Sequence, residues 1–240
     1  MQTIIFDVDD TLYDQLLPFQ KTVHLLIDAS FPEAEMGAFY KTSRKYSDEV
    51  FEKHMNGEIT GLELQTYRIM KACEDYQIKL SYEDAVRFQE VYLQEQRKIQ
   101  LFHPMKHLLE QLAKQNIRLA VLTNGELNHQ MMKVEQLGLT NWIPAEHIFV
   151  SGDVGCSKPD IQVFEHLENK LNLEKEQTLY IGDSYHHDVI GAKNAGWQVA
   201  WLNHRNRELP EHRLKPDYIA EKPDDILSIV NEWCHSLRKI

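Results

Sequence analysis

The chain has 240 residues, 42% hydrophobic and 26% charged, which suits a soluble globular protein with one large domain or a domain carrying an insertion. Its formal net charge of -11 disfavours general binding to nucleic acid or to an anionic membrane. Three scattered cysteines, Cys73, Cys156 and Cys234, make no metal-ligand or disulfide pattern, and no apolar run has the length of a membrane span or the flanks of a secretory signal, so a cytoplasmic protein is expected.

The first predicted element is a strand, "TIIF" at 3–6, that runs directly into Asp7, Asp9 and Asp10, with Thr11 behind them. Crowding carboxylates at the end of a buried strand is costly, so something must neutralise them. A cation, a lysine from elsewhere in the chain and plain solvent are the candidates.

From residue 15 to about 98 helical spacing dominates. Phe19, Val23, Leu26 and Ile27 line one face, and Leu62, Ile69, Met70 and Cys73 line another. "SYED" at 81–84 resembles a helix start, with Ser81 as the N-cap and Asp84 reaching back. Beyond it the texture changes. "PMKHLLEQLAKQ" places Met105, Leu108, Leu109 and Leu112 on one stripe, and "PDIQVFEHLENKL" does the same with Ile161, Phe164 and Leu167. Between and after these helices come short uninterrupted apolar runs: "RLAVL" before Thr123, "HIFV" before Ser151, "TLYI" before Gly182 and "WQVAWL" before Asn203. Such runs predict strands covered on both faces, and their alternation with helices predicts an α/β fold. The expected architecture is a Rossmann-like doubly wound parallel sheet, residues 1–14 and 101–240, with an all-helical domain inserted at 15–100. Linkers fall near 14–18 and 99–104.

In such sheets ligands bind outside the carboxyl ends of the strands, where strand order reverses. The residues after each run therefore gather a site. Asp7 and Asp9 come from the first run, and Thr123, Asn124 and Gly125 from the second. Lys158 lies in the loop after the third, before a helix start with Pro159 in its first turn. Asp183 and Asp188, the latter on the first turn of the next helix, come from "TLYIGDSYHHD". Four acids with one lysine leave an excess of negative charge, which favours a hard divalent cation held by oxygens. Magnesium fits, because it accepts one or two carboxylates, waters and a substrate phosphate.

Asp7-Val8-Asp9-Asp10-Thr11, Thr123, Lys158 and Asp183 with Asp188 resemble, in order, the four motifs of the haloacid dehalogenase-like (HAD) hydrolase superfamily. The helical insertion falls where that superfamily carries its C1-type cap. The resemblance implies that Asp7 is a phosphoryl-accepting nucleophile and Asp9 the acid–base. Thr123, with N–H groups around Asn124 and Gly125, would cradle phosphate, and Lys158 would neutralise Asp7 and the phosphoryl group. Asp183, the Asp7 carboxylate and the Asp9 carbonyl would hold Mg2+, with Asp188 orienting from nearby. Dehalogenating members lack an acid at the position of Asp9, so the resemblance points to a phosphatase of a small phosphorylated metabolite. "LTNG" and "GDSYHHD" are similar to the pyrimidine 5′-nucleotidase and N-acylneuraminate-9-phosphatase branches. A phosphomutase on the same core and a phospho-accepting signalling module are the alternatives. No nucleic-acid or membrane partner is expected, and the chain is read as a monomer or homodimer.

Other residues receive plainer readings. Asp10 and Asp14 read as solvated loop acids, His186 and His187 as exposed helix residues, and Cys156 as a small loop residue. Of Tyr40, Arg44, Lys45, Tyr46, Tyr67 and Arg68 in the helical insertion, Arg68 is singled out as a substrate contact. "HRNRELPEHRLKPD" at 204–217 reads as a surface loop.

Overall fold

Ile4, Ile5 and Phe6 are wholly buried in β1 (Thr3–Phe6), as a strand without a polar face requires. The computed structural model describes residues 1–210 and 214–237, so 211–213 of the basic stretch at 204–217 lie outside the described residues. The chain divides into two compact units, one made of Met1–Asp14 and Gln100–Ile240 and the other of Gln15–Ile99.

The first unit is built on a six-stranded sheet. Its other strands are β2 (Arg118–Thr123), β3 (Ile148–Val150), β4 (Thr178–Gly182), β5 (Gln198–Leu202) and β6 (Tyr218–Ala220). All pairings are parallel and the order is β3-β2-β1-β4-β5-β6. The chain thus runs outward from β1 to β3, returns to the centre, and runs outward again from β4. The reversal lies between β1 and β4, whose registers match Thr3 with Thr178 and Phe6 with Ile181. The β1–β4 pairing continues one step beyond the strand, where the Asp7 N–H donates to the Ile181 carbonyl at 2.9 Å.

Strand side chains alternate between faces. Ile5, Ala120, Leu122, Tyr180, Val199 and Trp201 share one core cluster with Val163, Phe164, Leu167 and Trp197. Met105, Leu108, Leu109 and Leu112 are buried along the helix His103–Leu112, which packs against the helix Pro223–Leu237. The helix Ile161–Leu171 departs from expectation. Ile161 is exposed and Val163 takes the inward place beside Phe164 and Leu167. Pro159 is not in its first turn, because Asp160 is the N-cap and accepts from the Gln162 N–H. Asp188 lies in a π-helical stretch, Tyr185–Ile190, rather than in the first turn of an α-helix.

The second unit contains four helices, Leu16–Leu26, Glu33–Met55, Gly61–Asp75 and Tyr82–Gln96. Phe19 sits at the centre of its aromatic core, with ring centroids 5.3 Å from Tyr40, 5.6 Å from Phe39 and 5.8 Å from Phe88. Val23, Ile69 and Cys73 join this core, and Leu26, Ile27 and Met70 pack against it. Leu62 does not, since it faces solvent and Leu64 is buried instead. Ser81 caps its helix by accepting from the Asp84 N–H, and Asp84 returns to the Ser81 hydroxyl. A full capping box stands at Thr60 and Glu63, one helix earlier.

A short helix, Gly191–Ala195, passes close to Phe164, and a Cβ at Gly191 would lie 2.5 Å from that ring and 3.2 Å from the Pro159 Cα. Gly191→Ala should therefore lower the unfolding free energy by about 1–3 kcal/mol, seen as a lower urea midpoint. An unchanged midpoint would show that this approach is looser than described.

Candidate active site

Lys158 is the hub of the site. Its ammonium donates to Asp7 Oδ1 at 2.7 Å, to Asp188 Oδ1 at 2.7 Å and to the Tyr180 hydroxyl at 2.8 Å, all of them buried. Three acceptors for three N–H bonds satisfy the cation. Asn124 sets the main chain beneath it, with its amide nitrogen donating to the Lys158 carbonyl and its amide oxygen accepting from the Lys158 N–H, both at 2.9 Å. The His187 ring meets the same carbonyl at 3.1 Å through Nδ1. His187 is thus half-buried and engaged, whereas His186 is exposed.

Asp7 also accepts from the Thr11 hydroxyl at 3.1 Å. Burial pushes its carboxyl up to about 7, against the pull of Lys158 and with help from the charges of Asp188 and Asp9. For Lys158, burial favours the neutral amine, but Asp188 and Asp7 outweigh it and hold the amine protonated. Asp188 uses its second oxygen to accept from the Ser184 N–H. It approaches β4 closely enough that a Cβ at Gly182 would fall 2.4 Å from its carboxyl. Asp7, Asp183 and Asp188 each offer an oxygen within 4.8 Å of the others, and all three are buried. Burial holds Asp183 well above the usual carboxylate range, opposed by Arg207 and reinforced by Asp10, Asp188 and Asp7.

Asp9 has a different environment. Both of its oxygens accept from Lys133 at 2.7 Å, and it also accepts from the Tyr13 hydroxyl and from Gln130 at 3.1 Å. Burial would raise its pKa, but these donors outweigh burial and hold it well below the usual range. These contacts favour the ionised form of Asp9, whereas the acid half of the role that the resemblance implies needs the protonated form. Gln130 donates to the Asn124 carbonyl as well, at 2.9 Å.

Thr123 ends β2 with its hydroxyl buried and without a partner among the described residues. An orphaned buried hydroxyl at the carboxyl edge of a sheet is a ready donor for an anion. The Gly125 N–H is taken by the Ser151 hydroxyl at 2.9 Å, and the Asn124 side chain is committed to Lys158.

Two further readings are corrected. Asp10 and Asp14 are not solvated, since both accept from Arg205, and His204 meets the Asp10 carbonyl at 2.9 Å. The described part of 204–217 is therefore not simply a surface loop. Arg205 and Arg207 reach inward, the latter bonding Asp183 Oδ2 at 2.8 Å and the Asp183 carbonyl at 2.9 Å. Cys156 is half-buried, and its thiol is raised by burial rather than lowered. Within the helical unit, Arg68 donates to Gln89 and lies over the Tyr92 ring, Tyr40 bonds Gln15, and Tyr46 bonds Asp75.

The sequence profile of the haloacid dehalogenase-like hydrolases matches residues 4–202, from β1 to the end of β5. The chain belongs to that family. It is 29% identical to the pyrimidine 5′-nucleotidase YjjG of Escherichia coli, over 87% of this chain and 88% of that one. It is 22% identical to (S)-2-haloacid dehalogenase 2 of a Pseudomonas species, with 95% of each covered. Among solved structures, the HAD-hydrolase YfnB of Bacillus subtilis bound to magnesium superposes with a TM-score of 0.72 at 25% identity, covering 96% of this chain and 98% of that one.

Lys133, Gln130, Tyr13, Tyr180, Arg205 and Arg207 were not singled out from the sequence. Lys133 did leave a signal, because Gln130, Lys133 and Val134 form one inward stripe of the helix Leu127–Gln136, continued by the buried C-cap Leu137. A lysine on such a stripe needs a buried acid. Lys133→Met would leave that acid unpaired and should lower the unfolding free energy at pH 7 by about 2–4 kcal/mol. Because the folded pKa of Asp9 is depressed, its stabilisation is present above the unfolded value of 3.8 and is lost as pH falls through the folded one. The gap between the two proteins in urea titrations should therefore begin to narrow as pH falls below about 3.8 and should keep narrowing towards the folded value. A gap that does not narrow with falling pH would assign the cost to packing instead.

Proposed function

We propose that this HAD hydrolase is a Mg2+-dependent phosphatase of small phosphomonoesters that works through an aspartyl-phosphate on Asp7. The observation that carries this reading is the buried Asp7–Lys158–Asp188 group with an unpartnered Thr123 hydroxyl on the adjacent strand. A nucleophile, a fixed cation and a free donor are what phosphoryl transfer needs.

The donor chemistry fits a hard divalent ion. The oxygens of Asp7 and Asp183 lie within 4.8 Å of each other, while Asp188 is already tied to Lys158 and Ser184. Asp7 and Asp183, with the Asp9 carbonyl, would hold Mg2+. Once bound, the ion would supply charge stabilisation for phosphoryl oxygens and favour ionised Asp7.

Asp7 attacks phosphorus in line, the P–O bond to the alcohol breaks, and the phosphoryl group rests on the Asp7 carboxylate. Lys158 offsets charge on the transferring group, and the Thr123 hydroxyl donates to one of its oxygens. The departing alkoxide needs a proton, which Asp9 supplies after moving off Lys133 and taking one up from solvent. Asp9 takes a proton back from the water that hydrolyses the acyl phosphate. The base form is the one that Lys133 and Tyr13 hold, so Asp9 must leave Lys133 to carry the proton.

A halide needs no proton to leave, which is why Asp9 favours the phosphatase reading over the activity of the dehalogenase relative. The nucleotidase relative supports nucleoside 5′-monophosphates as a first substrate panel.

The test is phosphate release from p-nitrophenyl phosphate and from that panel, alongside halide release from 2-chloropropionate. Phosphatase activity should require Mg2+ and vanish with EDTA. Asp7→Asn should cut kcat by at least about 10³-fold and Asp9→Asn by roughly 10²–10⁴-fold. Full phosphatase activity in Asp7→Asn, or halide release in place of phosphate release, would refute the proposal.

A further inference from the structure

Four cations reach the acids of this site, and they are not equally fixed. The side chains of Lys158 and Lys133 are each 2% exposed and that of Arg205 14%, whereas that of Arg207 is 34% exposed. Arg207 alone has ready access to water. It also holds Asp183, the member of the Asp7, Asp183 and Asp188 group that pairs with no lysine among the described residues, spanning its Oδ2 and main-chain carbonyl.

The loop that delivers Arg207 is built for the purpose. Asn203 donates its side-chain amide to the Arg207 carbonyl and accepts from the Arg207 N–H, both at 2.8 Å. His204 and Arg205 fasten the same loop to Asp10 and Asp14. A guanidinium on a short, pinned loop is held at its acceptor with little entropy left to lose.

We propose that Arg207 is an internal competitor for the divalent cation at Asp183, so that it sets the affinity of the site for metal. The inference rests on the metal-site reading above. A dication bonding the oxygen that accepts from Arg207 must displace the guanidinium. A dication on the other oxygen meets the repulsion of a cation on the same carboxylate. In either case, metal uptake and the Arg207–Asp183 pair oppose each other. On displacement the guanidinium turns to solvent, which its exposure permits, while Arg205 keeps the loop attached.

The test is the Mg2+ and Mn2+ affinity of the full chain, measured by isothermal titration calorimetry after EDTA treatment. A second readout is built in, because the Trp201 indole donates to the same Asp183 carbonyl at 2.7 Å, and its fluorescence should change with metal in parallel with the heat. Arg207→Met should bind Mg2+ about tenfold more tightly than wild type. Arg207→Gln, which keeps N–H donors but no charge, should show a similar gain and covers the event that the methionine variant folds poorly. In EDTA both variants should melt below wild type, and saturating Mg2+ should narrow the gap. Measurable wild-type binding with unchanged or weaker affinity in both variants would overturn the inference while leaving the metal-site reading standing. Absence of metal uptake in wild type and variants alike would overturn both.

Discussion

One buried ammonium group organises the candidate site. The end of β1, the middle of β4 and the π-helical stretch meet at Lys158, which gives one hydrogen bond to Asp7, one to Tyr180 and one to Asp188. Without that charge the two carboxylates would be unpaired in a buried place, a cost of several kcal/mol for each ionised group. Burial and the neighbouring acids already push Asp7 up to about 7 with the lysine present. The geometry follows from this need. Asn124 grips the Lys158 main chain from the β2 side, and the absence of a side chain at Gly182 lets Asp188 come close to β4.

The same rule is repeated around the acid cluster. Asp9 has Lys133, Asp10 has Arg205 and Asp183 has Arg207, and each cation comes from a segment remote in sequence. Asp9 and Asp10 are neighbours in the chain, yet their partners lie on different segments, so the tertiary fold itself supplies the neutralisation. Such pairing does two things at once. It makes a dense group of carboxylates compatible with burial, and it gives each one a separate protonation tendency, with Asp9 held ionised while Asp7 and Asp183 are pushed the other way.

This division also explains what could be read from the residues alone. Strands β1 to β5 were legible because a strand buried on both faces must be apolar throughout, and the doubly wound α/β architecture followed from their alternation with helices. The meeting of Asp7, Thr123, Lys158 and Asp183 near one sheet edge followed from where each apolar run stops. β6 was not legible, because its apolar run is only three residues between charged Asp217 and Glu221, and its middle residue Ile219 is exposed. Asp10 and Asp14 looked solvated because their partner, Arg205, lies about 190 residues away, and no local pattern announces such a pair. The Gly125 N–H looked available for the same reason, since its acceptor is Ser151 on another segment. Ile161 and Leu62 show a milder failure: at the first turn of a helix the apolar stripe often overruns the surface it could cover.

The strand order carries one more consequence. The two outermost strands, β3 and β6, have only three residues each, flanking a centre of four to six. The sheet therefore tapers towards both margins, leaving few unsatisfied main-chain donors and acceptors on which a foreign strand could dock. The short borders of a strongly apolar parallel centre thus leave little main chain for edge-to-edge pairing.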